Sequence, residues 1–118
     1  MQSIPIFKLR NILFVPIQIE LTDERVEDLN KSILKKIETT GVNGLIIDVS
    51  GVEVIDSFFA RSLITIGRGA RYLGCETVVV GVNPDVALTL TEMGLEWSGI
   101  KTSLDVESAM DILEKRKR

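Results

Sequence analysis

Two short runs, Leu45-Ile46-Ile47-Asp48-Val49 and Thr77-Val78-Val79-Val80-Gly81-Val82, are almost unbroken in aliphatic side chains. A strand with one wet face alternates apolar and polar residues, whereas a strand covered on both faces has no such need. Between the runs lies a stretch of helical periodicity, so the pair reads as strand, helix, parallel strand. A right-handed crossover of this kind commits the chain to a sheet with helices laid over it. The chain has 118 residues, one domain's worth. With 45% hydrophobic against 26% charged residues it can bury a core, so disorder is excluded. Aromatics make up only 5%, and the core must be built mainly from Val, Ile and Leu.

The remaining elements fall around that unit. Ile4 and Ile6, then Leu13, Val15 and Ile17, alternate like two strands with a tight turn at Asn11. Pro5 and Pro16 have no N–H for a ladder, which predicts an edge or a bulge for both strands. Thr22 is placed as an N-cap with Asp23 and Glu24 in the first turn, and Val26, Leu29, Ile33 and Ile37 form one helical face that Gly41 ends. A second helix is expected over residues 57–73. Asn83-Pro84 reads as a cap followed by proline at the first helical position, for a short helix to Met93. A weak strand is expected over residues 98–101, then a last helix capped by Ser103 or Asp105, with Val106, Met110 and Leu113 on one face. The expectation is α/β: one domain over residues 1–118, with a mixed, mostly parallel sheet of four or five strands, about four covering helices and the N-terminal hairpin at its edge.

Composition removes several kinds of chemistry. There is no histidine, so Ser–His and Cys–His pairs and imidazole metal ligands are impossible. The one cysteine, Cys75, can make neither an internal disulfide nor a thiolate zinc cage, which suits a reducing compartment. A net charge of −3 offers nothing to nucleic acid, and the basic end from Lys115 to Arg118 suits a helix C-terminus. No apolar run approaches the ~20 residues of a membrane span, and no leader pattern opens the chain. The fold is expected to start at once, in a soluble, cytoplasmic protein with no metal and no cofactor.

The segment Asp48-Val49-Ser50-Gly51-Val52-Glu53-Val54-Ile55-Asp56-Ser57 joins the carboxyl end of a buried strand to a helix N-terminus, where open α/β folds place their sites. Asp48, Glu53 and Asp56 resemble a magnesium cluster, but no phosphate-cradling motif accompanies them. A plainer role for Asp56 or Ser57 is to cap the helix. On that helix Phe59, Leu63, Ile66, Ala70 and Leu73 share one stripe, the expected core face. Ser57, Arg61, Ile64 and Arg68 fall nearly opposite, with Phe58 on the flank. Apolar Phe58 and Ile64 beside a serine and two arginines make a docking surface, and a contact between copies of the chain would have the same pattern. A phosphate on Ser57 would sit at the positive end of the helix, with Arg61 one turn on, and Asp56 beside it would oppose the charge. The hydroxyl permits that chemistry, though periodicity does not show it.

Other features are weaker. Gly67-Arg68-Gly69 lies inside a helical pattern, so close helix packing outweighs phosphate binding. Cys75 is expected to be a small buried side chain, Trp97 to cap the core, and Lys101 to be a cation without a partner. A receiver domain of similar length needs an acidic pair after its first strand, where this chain has Phe7-Lys8-Leu9-Arg10. A hydrolase built on Asp48 and Asp56 lacks a nucleophile or base to join them.

Several segments resemble a STAS domain, the fold of anti-anti-sigma factors and of the cytosolic part of sulfate transporters. They are residues 45–49, the Asp56-Ser57 pair opening a helix, residues 77–82 with Asn83-Pro84, and Leu90-Thr91-Glu92-Met93-Gly94-Leu95. Ile55-Asp56-Ser57-Phe58-Phe59-Ala60-Arg61, Glu76-Thr77-Val78-Val79-Val80-Gly81 and Gly99-Ile100-Lys101-Thr102 are similar to the small single-domain subunits of bacterial stressosomes. The resemblance implies a non-enzymatic scaffold that packs with a larger STAS-containing subunit, in homo- and hetero-oligomers, and sequesters a serine/threonine switch kinase. It implies that Ser57 is the phosphorylated position, that phosphorylation releases the kinase into a stress response, and that a phosphatase resets it. The partner surface is then Asp56, Phe58, Arg61 and Ile64. Anti-anti-sigma factors that bind their kinase directly often carry Asp-Ser-Ser-Gly, where this chain has Asp56-Ser57-Phe58-Phe59. Direct antagonism of an anti-sigma kinase is the alternative.

Overall fold

Pro5 and Pro16 set the edge of the sheet. The first strand, β1 (Phe7–Leu9), pairs antiparallel with β2 (Ile12–Pro16), with Phe7 opposite Phe14 and Leu9 opposite Ile12. Continuing that register sets Pro5 against Pro16, and neither has an N–H to give. The ladder stops there and β1 is three residues long. Pro5 therefore marks an edge as expected, but β2 is interior, paired with β1 on one side and a parallel strand on the other. Pro16 fits because it is the last residue of β2, beyond the reach of β1.

The computed structural model describes residues 4–19, 21–53, 55–92, 94, 97 and 99–115, apart from the side chain of Thr89. The expected chain start at residues 1–3, the helix end at Met93, the turn residue Leu95, the strand start at Ser98 and the basic end at 116–118 lie outside the described residues.

After β2, Thr22 caps α1 (Asp23–Thr40), its hydroxyl accepting the Arg25 N–H at 3.2 Å. Leu29, Ile33 and Ile37 are buried along that helix, each contributing about 1.5–3 kcal/mol by removal from water. Then follow β3 (Gly44–Asp48), α2 (Ser57–Tyr72), β4 (Glu76–Val80), α3 (Pro84–Glu92), β5 (Ile100–Ser103) and α4 (Val106–Lys115). The sheet order is sequential, β1-β2-β3-β4-β5, and every neighbour pair from β2 onward is parallel. Asn83 caps α3 through the Val86 N–H at 2.8 Å. Of the two candidates for α4 it is Asp105 that accepts the helical N–H, from Ser108 at 2.8 Å.

Strand periodicity sorts the core into two layers. Leu13, Val15, Leu45, Ile47 and Val79 face α1, α2 and Val86 of α3. Ile12, Ile46, Val78 and Val80 face Ala109 and Leu113 of α4. One face of the sheet thus carries three helices and the other a single helix.

Candidate functional site

Three strand ends meet below the N-terminus of α2. The Asp48 carboxylate accepts both the Ser50 backbone N–H at 2.9 Å and the Ser50 hydroxyl at 2.7 Å, which turns the chain sharply out of β3. Gly81, at φ 89°, lets the end of β4 approach this turn: a Cβ there would lie 2.7 Å from the Ser50 Cβ. Gln18, just past β2, lies against Gly51 from the other side. Ile55, 4% exposed, then pins the loop to the core immediately before the helix.

The cap of α2 belongs to Asp56. Its backbone is extended and its carboxylate accepts the Phe59 N–H at 2.8 Å, while its carbonyl accepts from the Ala60 N–H at 3.0 Å. This resolves the choice between Asp56 and Ser57. Ser57 is the first helical residue and half-buried, and no hydrogen bond among the described residues uses its hydroxyl. The hydroxyl therefore sits where the unpaired N–H groups of the first turn concentrate positive potential.

Around it, Phe58 is 37% exposed, whereas Phe59 is buried. Arg61 and Arg68 are exposed along the same side of α2 as Ser57, at spacings of one and three turns. Ile64 departs from expectation. It is only 8% exposed and belongs to the main core cluster, so it adds no apolar surface for a partner. The physical reason is that α2 is hemmed in on two flanks. Leu34 of α1 packs against Gly69, and Ile100 of β5 packs against Gly67, so the buried arc runs from Ser62 through Phe59 to Ile64. Leu73 departs the other way: it is the C-cap residue and 47% exposed, so the core stripe ends at Ala70.

The competing sites dissolve into local structure. Asp48 and Asp56 each hold a backbone N–H, and among the described residues no three His, Cys, Asp or Glu side chains gather as a metal site would require. Gly67 is a packing glycine, since a Cβ there would lie 2.7 Å from the Ile100 side chain. Cys75 is buried. Lys101 does have a partner, Glu76 on the neighbouring strand at 3.5 Å. Ser62 is buried and donates to the Phe58 carbonyl at 2.7 Å, while Thr65 is exposed and donates to the Arg61 carbonyl at 3.1 Å. The meeting of Gln18, Ser50 and Gly81 was not expected. The only local signal is the Asp48-Val49-Ser50-Gly51 turn pattern, because the approach of Gly81 depends on strand pairing.

No described helix is long and apolar enough to cross a membrane. A family model, described as the STAS domain, matches residues 3–109. RsbT co-antagonist protein RsbRD of Bacillus subtilis (strain 168) is 28% identical over 109 residues, covering 92% of this chain and 39% of its own length. The chain thus spans well under half of that relative. Among solved structures, a serine-to-glutamate variant of RsbS from Moorella thermoacetica is 38% identical with a TM-score of 0.84 over 99% of both chains. A chain from the molecular architecture of the stressosome, a signal integration and transduction hub, is 40% identical with a TM-score of 0.83, covering 97% of this chain and 99% of its own.

Proposed function

The chain belongs to the STAS domain family, and from that premise we propose that it is a phosphoregulated protein-binding module of a stressosome. In this reading residues 1–118 act as one STAS domain without enzymatic activity, in the cytoplasm. The domain packs with further copies and with a larger STAS-containing subunit, and together they hold a serine/threonine switch kinase inactive. Phosphorylation of Ser57 releases the kinase to drive a stress response, and a phosphatase restores the serine. The likeness to a stressosome chain and to proteins named co-antagonists supports a holding role.

The observation that carries the reading is the division of labour at the start of α2. Because Asp56 caps the helix, Ser57 is left with a hydroxyl that no described hydrogen bond engages, beside exposed Phe58 and Arg61. A phosphate there adds about −1.5 to −2 charges without disturbing the cap. Arg61 can pair with it intramolecularly, and a partner seated on Phe58 then meets a desolvated anion. Asp56, Phe58 and Arg61 are the proposed partner surface, and Ile64 supports it from the core.

The test is site-resolved mass spectrometry after incubation with ATP and a serine/threonine kinase encoded beside this gene, with Ser57→Ala as control. One phosphate confined to Ser57, followed by loss of the kinase from the assembled complex, is expected. No phosphate from a kinase active on another substrate removes the switch reading. Tight binding of that kinase by this chain alone, with no assembly, would instead favour direct antagonism of an anti-sigma kinase.

A further inference from the structure

Val86 anchors α3 in the main core, at 6% exposure. Further along that helix Ala87, Leu90 and Thr91, at spacings of three and four, share one face. The face looks across to Ile100 and Thr102, which stand two residues apart on β5 and so project from the same side of the sheet. Because β5 is the last strand in the sheet order, no further strand closes the gap. Together with Trp97 these side chains bound an open cleft of about 330 Å³, within the size range that holds a small molecule. Leu90 and Trp97 are only partly buried against the core, so the cleft leaves apolar surface in water.

The polar groups of the cleft define what such a molecule must carry. The Trp97 Nε1 is buried and finds no hydrogen-bond acceptor among the described residues, a cost that native structures rarely leave unmet. Thr102 is exposed, and no hydrogen bond among the described residues uses its hydroxyl. The Thr91 hydroxyl is already spent as a donor to the Ala87 carbonyl at 2.9 Å. Among the described residues no charged side chain lines the cleft, so a charged ligand would lose its hydration without gaining a partner. From these features we infer that the cleft between α3 and β5 binds a small uncharged molecule with an apolar body and a hydrogen-bond acceptor such as a carbonyl. The body covers Leu90 and Ile100. A small turn of the indole brings its N–H to the acceptor, and the Thr102 hydroxyl supplies a second donor. The site shares no residue with the surface at Ser57, and it stands whether or not that serine is modified.

Trp97 is the only tryptophan in the chain, so its indole N–H gives a single resonance in proton–nitrogen spectra. Titration of the full chain with acetophenone is expected to move that signal saturably, together with the Leu90 and Ile100 methyls. Toluene keeps the ring and lacks the carbonyl. It is expected to bind at least about fivefold more weakly, the worth of one hydrogen bond, and benzoate not detectably. Ala87→Phe, at an exposed position of α3, fills the cleft from its mouth and is expected to abolish the shifts with an unchanged melting curve. Trp97→Phe keeps a ring and removes the N–H. Read from the methyl signals, that variant is expected to bind acetophenone no better than toluene. Should either variant unfold, the comparison of the three compounds on the wild type decides. No saturable movement in the wild type, binding that survives Ala87→Phe in a folded chain, or toluene or benzoate binding as tightly as acetophenone would overturn the site. A folded Trp97→Phe chain that still prefers acetophenone would overturn the indole as its donor. None of these outcomes bears on phosphorylation of Ser57, which the mass-spectrometric test reads separately.

Discussion

Replacing Asp56 by alanine removes the oxygen that accepts the Phe59 N–H, and replacing Ser57 by alanine removes no described hydrogen bond. Thermal or urea unfolding should therefore separate two adjacent residues. Asp56→Ala is expected to cost about 0.5–2 kcal/mol, the usual loss for an N-cap, and Ser57→Ala to stay within about 0.5 kcal/mol. Equal costs would mean that Ser57 shares the cap, and its hydroxyl would then be a structural group. A second capping aspartate has a measurable acid signature. The Asp105 carboxyl is held below its ordinary 3.8 by the Ser108 backbone N–H first and the Ser108 side chain second, with slight opposition from burial. Its unfolded value is the higher of the two, so its contribution to stability is complete above that value and is lost as pH falls through the folded one. Carboxyl chemical shifts followed from about pH 5 to 2 should give Asp105 a midpoint below that of a model peptide. A midpoint at or above the peptide's would remove it as the cap of α4.

Within the α2 element, Phe58 keeps the exposed place that helical spacing gives it, whereas Ile64 joins the core. Ile64→Ala is expected to cost about 2–5 kcal/mol, the range for a buried isoleucine, because the residue is 8% exposed within the main core. Phe58→Ala, at 37% exposure, should cost far less stability and show its effect in a pull-down of the larger STAS subunit or the kinase. The reverse pattern, with stability lost at Phe58 and binding at Ile64, would contradict the packing described. The difference also shows what the sequence could reveal. Thr22 and Asn83 were legible as caps, and Asp56 as one of two candidates beside Ser57, because each acts on an N–H three residues away, within reach of a local pattern. The burial of Ile64 was not, since it depends on α1 and β5 closing on both flanks of α2 through Gly69 and Gly67. Pro16 carries the same lesson. Its missing N–H was read as an edge or a bulge, but β1, the strand that would have needed it, pairs only as far as Phe7 opposite Phe14.

For the molecule as a whole, the proposed switch is attached to the most constrained part of the sheet. The loop after β3 is tied to β4 by the Val49 N–H to the Val80 carbonyl at 2.9 Å, while the Ile17 N–H bonds the Asp48 carbonyl at 2.9 Å. β3 itself is paired on both sides, and its side chains enter both core layers. A charge added at Ser57 has little purchase on such a frame, because it falls at the helix N-terminus, where a negative group is favoured by about 0.3–1 kcal/mol, partly offset by Asp56. The signal must then travel as a change of surface and not as a refolding. Hydrogen–deuterium exchange of Ser57→Asp against wild type is expected to differ only in the peptides spanning residues 49–61. Amides of β3 and β4 should keep their full protection, near that of global unfolding. Loss of protection across those strands would show that the added charge opens the core. In that case kinase release would follow from local unfolding, and the exposed Phe58 and Arg61 would no longer suffice to explain it.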